Sequence, residues 1–159
     1  MAQVDYFLKI TNVKGESTDE KHKGEIELES FSLGGTNAAS FSSGGGGGAG
    51  KVALQDFHFT KKVDAASVKL FVAMATGEHL ASAVLTCRKA GKEQQEYIII
   101  KMNDIIVTSV QPSGSSENPV ESFSLQPGKI DIEYKPQKPD GTLDAGLHFK
   151  YDMTANKEG

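Results

Sequence analysis

The chain of 159 residues carries 17 Lys and Arg against 21 Asp and Glu, a net charge of −4 at pH 7. That length fits one domain, here residues 1–159, with a core of its own, and the charge leaves no clustered basic surface for nucleic acid, whose binding rests on Lys and Arg neutralising phosphates. A single cysteine, Cys87, excludes an intrachain disulfide and a multi-cysteine metal site.

The opening segment, Met1 to Ile10, lacks the charged start and long apolar core of a secretory signal, and no later run reaches membrane-spanning length. The expectation is a chain made in the cytoplasm without a cleavable signal, not inserted in a membrane, and exported by some other route if it leaves the cell. Val4 to Ile10 reads as a first strand, followed by a polar loop from Lys14 to Lys23. Glu25-Ile26-Glu27-Leu28-Glu29 then alternates charge with aliphatic side chains, the period of a half-exposed strand. Its apolar phase changes between Ile26 and Leu28 on one side and Phe31 and Leu33 on the other. That predicts a bulge near Glu29-Ser30, or two faces covered over different lengths of the strand.

Within Gly44-Gly45-Gly46-Gly47-Gly48-Ala49-Gly50-Lys51, the part from Gly45 spells G-x-x-x-x-G-K. A phosphate-binding loop follows a buried strand, opens a helix and carries Ser or Thr after the Lys for magnesium. Here Val52 follows, the segment Val52 to Thr60 reads as a strand, and Gly34 to Ser40 upstream reads as loop. The stretch at about 34–50 is therefore a glycine-rich connector between strands, and a nucleotide-binding protein using Lys51 is the disfavoured alternative. The apolar phase switches again between Val52 and Leu54 and the set Phe57, Phe59 and Val63. Two strands that change faces predict a closed or strongly curved sheet.

One helix is predicted, with Asp64 capping its first turn, an apolar stripe of Val68, Leu70, Phe71 and Met74, and an end at Gly77. Strands resume at Ala81–Arg88 and Gln95–Met102 around a turn at 89–92, and Ile105–Gln111 leads into a loop at 112–119. Val120–Leu125 and Ile130–Tyr134 are expected to form a hairpin across Pro127-Gly128, and Leu147, Phe149, Tyr151 and Met153 alternate with polar residues. About eight or nine strands with one short helix make a mainly antiparallel β-barrel or sandwich.

No catalytic constellation emerges. His22, His58, His79 and His148 lack the spacing of a compact zinc site, and no G-x-S-x-G elbow presents a serine. Glu25, Glu27 and Glu29 share one strand face, which suits a solvated surface or an inter-subunit charge pair better than a cation cage needing convergent ligands. Cys87 lies in a strand with no histidine beside it in sequence and reads as a small core or surface residue. No catalytic, cofactor-binding or metal-ligating residue is expected, and the chain is not read as an enzyme.

Several segments taken together resemble a known family. Gly15-Glu16-Ser17 with Asp19 and His22, then Glu25-Ile26-Glu27 and Ser30-Phe31-Ser32-Leu33-Gly34, are similar to the opening of the haemolysin-coregulated protein (Hcp) family, the tube subunits of the bacterial type VI secretion system. The glycine tract into Gly50-Lys51-Val52, the run Gln55 to Lys61, Asp64-Ala65-Ala66-Ser67, Arg88-Lys89-Ala90-Gly91 and Tyr134 to Lys138 follow in family order. Leu33 and Val68 depart from it, standing where members often carry Trp and Pro. The resemblance implies a β-barrel with one helix, built into homohexameric rings that stack as a hollow tube. It implies effector proteins carried in the lumen, sheath and spike proteins as partners, and secretion through the type VI apparatus. The expected ring-stacking loop is Ser42, Ser43, Gly44, Gly45, Gly46, Gly47 and Gly48. Ser30 and Ser32 are the expected lumen and effector positions.

Overall fold

The computed structural model describes residues 4–37, 52–89 and 94–159. Ser42 to Gly48, Lys51 and the turn residues 90–93 lie outside the described residues. In chain order the elements are β1 (Val4–Ile10), β2 (Ile26–Leu28), β3 (Ser30–Ser32), β4 (Gly35–Asn37), β5 (Val52–Leu54) and β6 (Phe57–Lys62). Then follow α1 (Ala66–Thr76), β7 (His79–Lys89), β8 (Gln95–Ser113), β9 (Val120–Tyr134), β10 (Leu147–Asp152) and β11 (Lys157–Glu158).

The main path runs β11-β10-β9-β8-β7-β1-β2, while β6 pairs with both β9 and β3. Only Glu29 separates β2 from β3, and its N–H donates to the Thr60 carbonyl of β6 at 2.7 Å. One bent strand therefore borders β1 at its start and β6 at its end, which closes the sheet on itself. The mainly antiparallel barrel with one helix is as expected from the sequence.

The predicted phase break falls where the bent strand changes partner. Ile26 and Leu28 are buried against β1, whereas Phe31 points inward from the β6 side and meets Tyr6 edge-on at 5.2 Å. The second break separates two sheets. Phe57 and Phe59 are buried in the barrel, while Val52 and Leu54 belong to a two-stranded extension, β4 with β5, that carries the hairpin beyond it. The third inward position on β6 belongs to Lys61, and Val63, expected to continue the apolar set, is exposed.

Two expected strand breaks are corrected. Gln95 to Ser113 is one strand rather than two: Asp104, at φ 57°, breaks its alternation so that Met102 and Ile105 are both buried, while the register with β9 runs on unshifted past it and breaks only between Val107 and Ser109. Pro127-Gly128 is likewise no turn but lies inside β9, with Pro127 paired to Ile105. Proline is tolerated there because the other edge of β9 has no partner strand between the end of the β6 ladder at Leu125 and the start of the β10 ladder at Lys129. A Cβ on Gly128 would stand 3.3 Å from the Asp104 Cβ, so glycine lets β9 pass close to Asp104.

The helix starts and stops as read. Asp64 Oδ1 accepts the Ala66 N–H at 2.9 Å, and Gly77 adopts φ 69° at the C-terminus. Its inward face differs from the expected stripe. Ala66, Ser67, Leu70 and Ala73 are buried, whereas Val68, Phe71 and Val72 are 72%, 40% and 46% exposed. Residues 66, 70 and 73 also share a helical face, and their small alanines bring the backbone close to the sheet. The bulkier apolar face is left outside.

Candidate assembly surfaces

The loop between β1 and β2 is fastened to the barrel by the residues that stood out in sequence. Gly15 donates to the Gly24 carbonyl at 2.8 Å, and any Cβ there would run into the Glu25 carbonyl. Glu16 Oε2 accepts the Ala65 N–H at 2.7 Å, joining the loop to the start of α1. Asp19 takes both arms of Arg88, at 3.0 and 2.7 Å, and the same guanidinium reaches Asp5 at 3.0 Å. The hydrogen bond from Arg88 is the main reason the Asp19 carboxyl sits well below the usual range; partial burial opposes it, and the Lys21 and His22 N–H groups reinforce it. His22 lies between Glu25 and Glu96, at 2.9 and 2.7 Å, and stacks on Phe7 at 4.4 Å. The His22 neighbours are one imidazole and two carboxylates engaged with each other, and among the described residues no group of His, Cys, Asp and Glu is placed to hold a metal ion.

A second cluster ties α1 to the wall. Lys61 Nζ, fully buried, reaches Asp64 Oδ1 at 2.7 Å and Ser67 Oγ at 2.9 Å, and forms an ion pair with Glu121 Oε1 at 2.9 Å. Lys61 and Glu121 are direct cross-strand partners, and the carboxylate, also fully buried, has no aligned hydrogen bond. Sequence reasoning missed this pair. The only signal was a charge of each sign, Lys61 and Glu121, at positions in phase with Phe59 and Phe123. Cys87 is buried among the strands, and burial pushes its thiol up to about 12. At neutral pH it is a packed thiol rather than a nucleophile.

What remains is surface. Phe31, Phe59, Phe123 and Val110 form one inward row across β3, β6, β9 and β8. The rows beside it are Ser30, Thr60, Ser122 and Gln111, then Ser32, His58, Ser124 and Ser109, of which Ser124 is buried beneath the hydroxyls of Thr108 and Ser109. Ser30 and Ser32 are both exposed and thus belong to one hydroxyl-rich sheet face. Beyond the barrel, β8, β9 and β10 overhang the core, leaving Tyr134 46%, Leu147 66% and Phe149 42% exposed. The helix face of Val68, Phe71 and Val72 is a separate apolar surface.

A family model described as "Type VI secretion system effector, Hcp" matches residues 7–134. The chain belongs to the Hcp family. It is 44% identical over 146 residues to "Protein hcp1" of Pseudomonas aeruginosa, covering 90% of each chain. Among solved structures, "Structure of a type six secretion system protein" superposes with a TM-score of 0.89 at 30% identity, covering 98% of this chain and 99% of the other. Hcp1 from Salmonella typhimurium gives 0.79 at 34% identity, covering 99% and 100%. As an Hcp member the chain is a secreted type VI secretion protein, of a structural rather than enzymatic family. The residues after Lys51 form strand β5 and not the helix a phosphate-binding loop opens, so the fold gives the nucleotide alternative no support.

Proposed function

We propose that this chain is the tube subunit of a type VI secretion system, closing into rings of six that stack as a hollow tube and carry effector proteins in the lumen. The observation that carries the reading is the pair of apolar surfaces left open on separate elements of an otherwise filled barrel, Val68, Phe71 and Val72 on α1 and Tyr134, Leu147 and Phe149 on the overhang. A single compact copy has no use for both. Contacts between unlike surfaces close a ring when the rotation between neighbours returns on itself.

In that arrangement the hydroxyl-rich face of β3, β6, β9 and β8 lines the lumen, with Ser30 and Ser32 against the cargo. Its small hydroxyl side chains offer hydrogen bonds to a passing protein while presenting little charge or apolar surface to hold it. The β4–β5 extension carries the segment Ser42 to Gly48 toward the next ring, as the stacking contact. Sheath and spike proteins are the outer and terminal partners. Ser32→Gln tests the lumen assignment: effector retention and export should fall while ring formation is unchanged. Normal effector export by that variant would remove Ser32 from the lumen wall.

A further inference from the structure

The path β11-β10-β9-β8-β7-β1-β2 ends in two strands, β2 and β11, each pairing with a single neighbour among the described residues. The two ends differ in charge. On the β2 side, a groove of about 440 Å³ is lined by Glu16, Glu27, Glu29, Lys62 and Asp64. A second, of about 570 Å³, shares Glu27 and Glu29 and adds Asp5, Asp19 and Arg88. Most of these charges are already engaged: Arg88 with Asp5 and Asp19, Asp64 with Lys61, and Glu16 with the Ala65 N–H. Glu27 and Glu29 are exposed and have no ion pair among the described residues. They are the free acidic charges of both grooves, and Lys62, exposed and also without an ion pair among the described residues, is the one free ammonium of the first.

On the β10–β11 side, a groove of about 350 Å³ is lined by Lys129, Asp131, Lys150, Asp152 and Lys157. Lys129 lies 3.7 Å from Asp152, and Asp131 accepts from His148 at 2.9 Å. Lys150 and Lys157 are exposed, and among the described residues neither has an ion pair. The β2 side, where the bent strand passes on to β6, therefore offers two unpaired carboxylates with the exposed Lys62 nearby, and the β10–β11 edge offers two unpaired ammonium groups.

We infer that these edges recognise each other on adjacent copies: the Glu27–Glu29 edge of one subunit receives the Lys150–Lys157 edge of the next. The inference rests on the ring reading and specifies which surfaces make its contacts. Two surfaces of opposite charge on separate parts of one chain match each other head to tail, the arrangement a heterologous ring needs. Two copies meeting like edge to like edge would oppose carboxylate to carboxylate or ammonium to ammonium, which disfavours a two-fold dimer. The charges thus select the direction of association, while the apolar surfaces supply contact area.

The test reverses each edge separately and then combines them. E27K/E29K and K150E/K157E change exposed side chains outside the core, and unaltered circular dichroism and thermal unfolding establish that each variant folds. Each alone should assemble at least about tenfold more weakly than the parent at about 0.1 M salt, because like charges then face each other at every contact. Mixed in equal amounts, the two should regain ring-sized mass, since reversed edges now alternate with native ones around the ring. Assembly of either variant alone with the parent's affinity overturns the inference, as does a mixture that stays monomeric, and both leave the ring reading standing. A parent protein that is itself monomeric under the same conditions overturns the ring reading, and this inference with it.

Discussion

Lys61 shows how a charged residue came to occupy a core position. It fills the place on β6 that follows Phe57 and Phe59, and its ammonium meets Glu121, Asp64 and Ser67 where an aliphatic chain would otherwise pack. Removing one member of a buried pair strands the other, so Lys61→Ala should lower the unfolding free energy by about 3–5 kcal/mol. Lys61→Met combined with Glu121→Leu removes both charges and should cost far less, measured by urea denaturation; equal losses in both variants would mean that packing, not the stranded Glu121, sets the cost. Asp19 makes a pH-dependent contribution. Its folded carboxyl is held below the unfolded value of about 3.9, so the contribution is complete above that value and is lost as pH falls through the depressed folded one. Asp19→Asn should therefore flatten the loss of stability on acidification below about pH 4, followed as the urea midpoint against pH. An unchanged acid profile would show that Arg88 does not hold that carboxyl in solution.

At the scale of elements, the hairpin of β3 with β6 continues past the barrel as β4 with β5, and the chain between them includes Ser42 to Gly48. Deleting Ser42 to Gly48 should leave rings intact and abolish tubes in electron micrographs; tubes of normal length from that variant would place stacking elsewhere. Much of the element pattern was legible because the side-chain period of a strand is two, so a change of phase marks a change of partner. That reasoning located the break at Glu29-Ser30 and implied closure. It erred where one local signal serves two purposes. Pro127-Gly128 carries the composition of a turn, yet the same residues suit a strand stretch whose outer edge is unpaired and which passes close to Asp104. On α1, apolar residues occupy both faces, and nothing in the periodicity says that Ala66, Leu70 and Ala73 face the sheet while Val68 and Phe71 face away. The opening motif was visible as a string of residues. Its work was not, because Arg88 and Glu96, which hold Asp19 and His22, lie about seventy positions further along the chain.

For the whole molecule, the barrel is filled and closed but its surface is divided among unlike claims. One sheet face is hydroxyl-rich, the overhang and the outer helix face are apolar, and the β2 side and the β10–β11 edge carry unpaired charges of opposite sign. Such a division suits a subunit that meets a cargo on one side and copies of itself on others. Family membership, at 44% identity to Protein hcp1 of Pseudomonas aeruginosa over 90% of each chain, gives that division its context in type VI secretion. Light-scattering mass of the purified protein at micromolar concentration tests the central claim most directly. The account predicts a particle of six times the 17.0 kDa chain mass, or multiples of that ring as rings stack; a single species of one chain mass, unchanged as concentration rises, would contradict it.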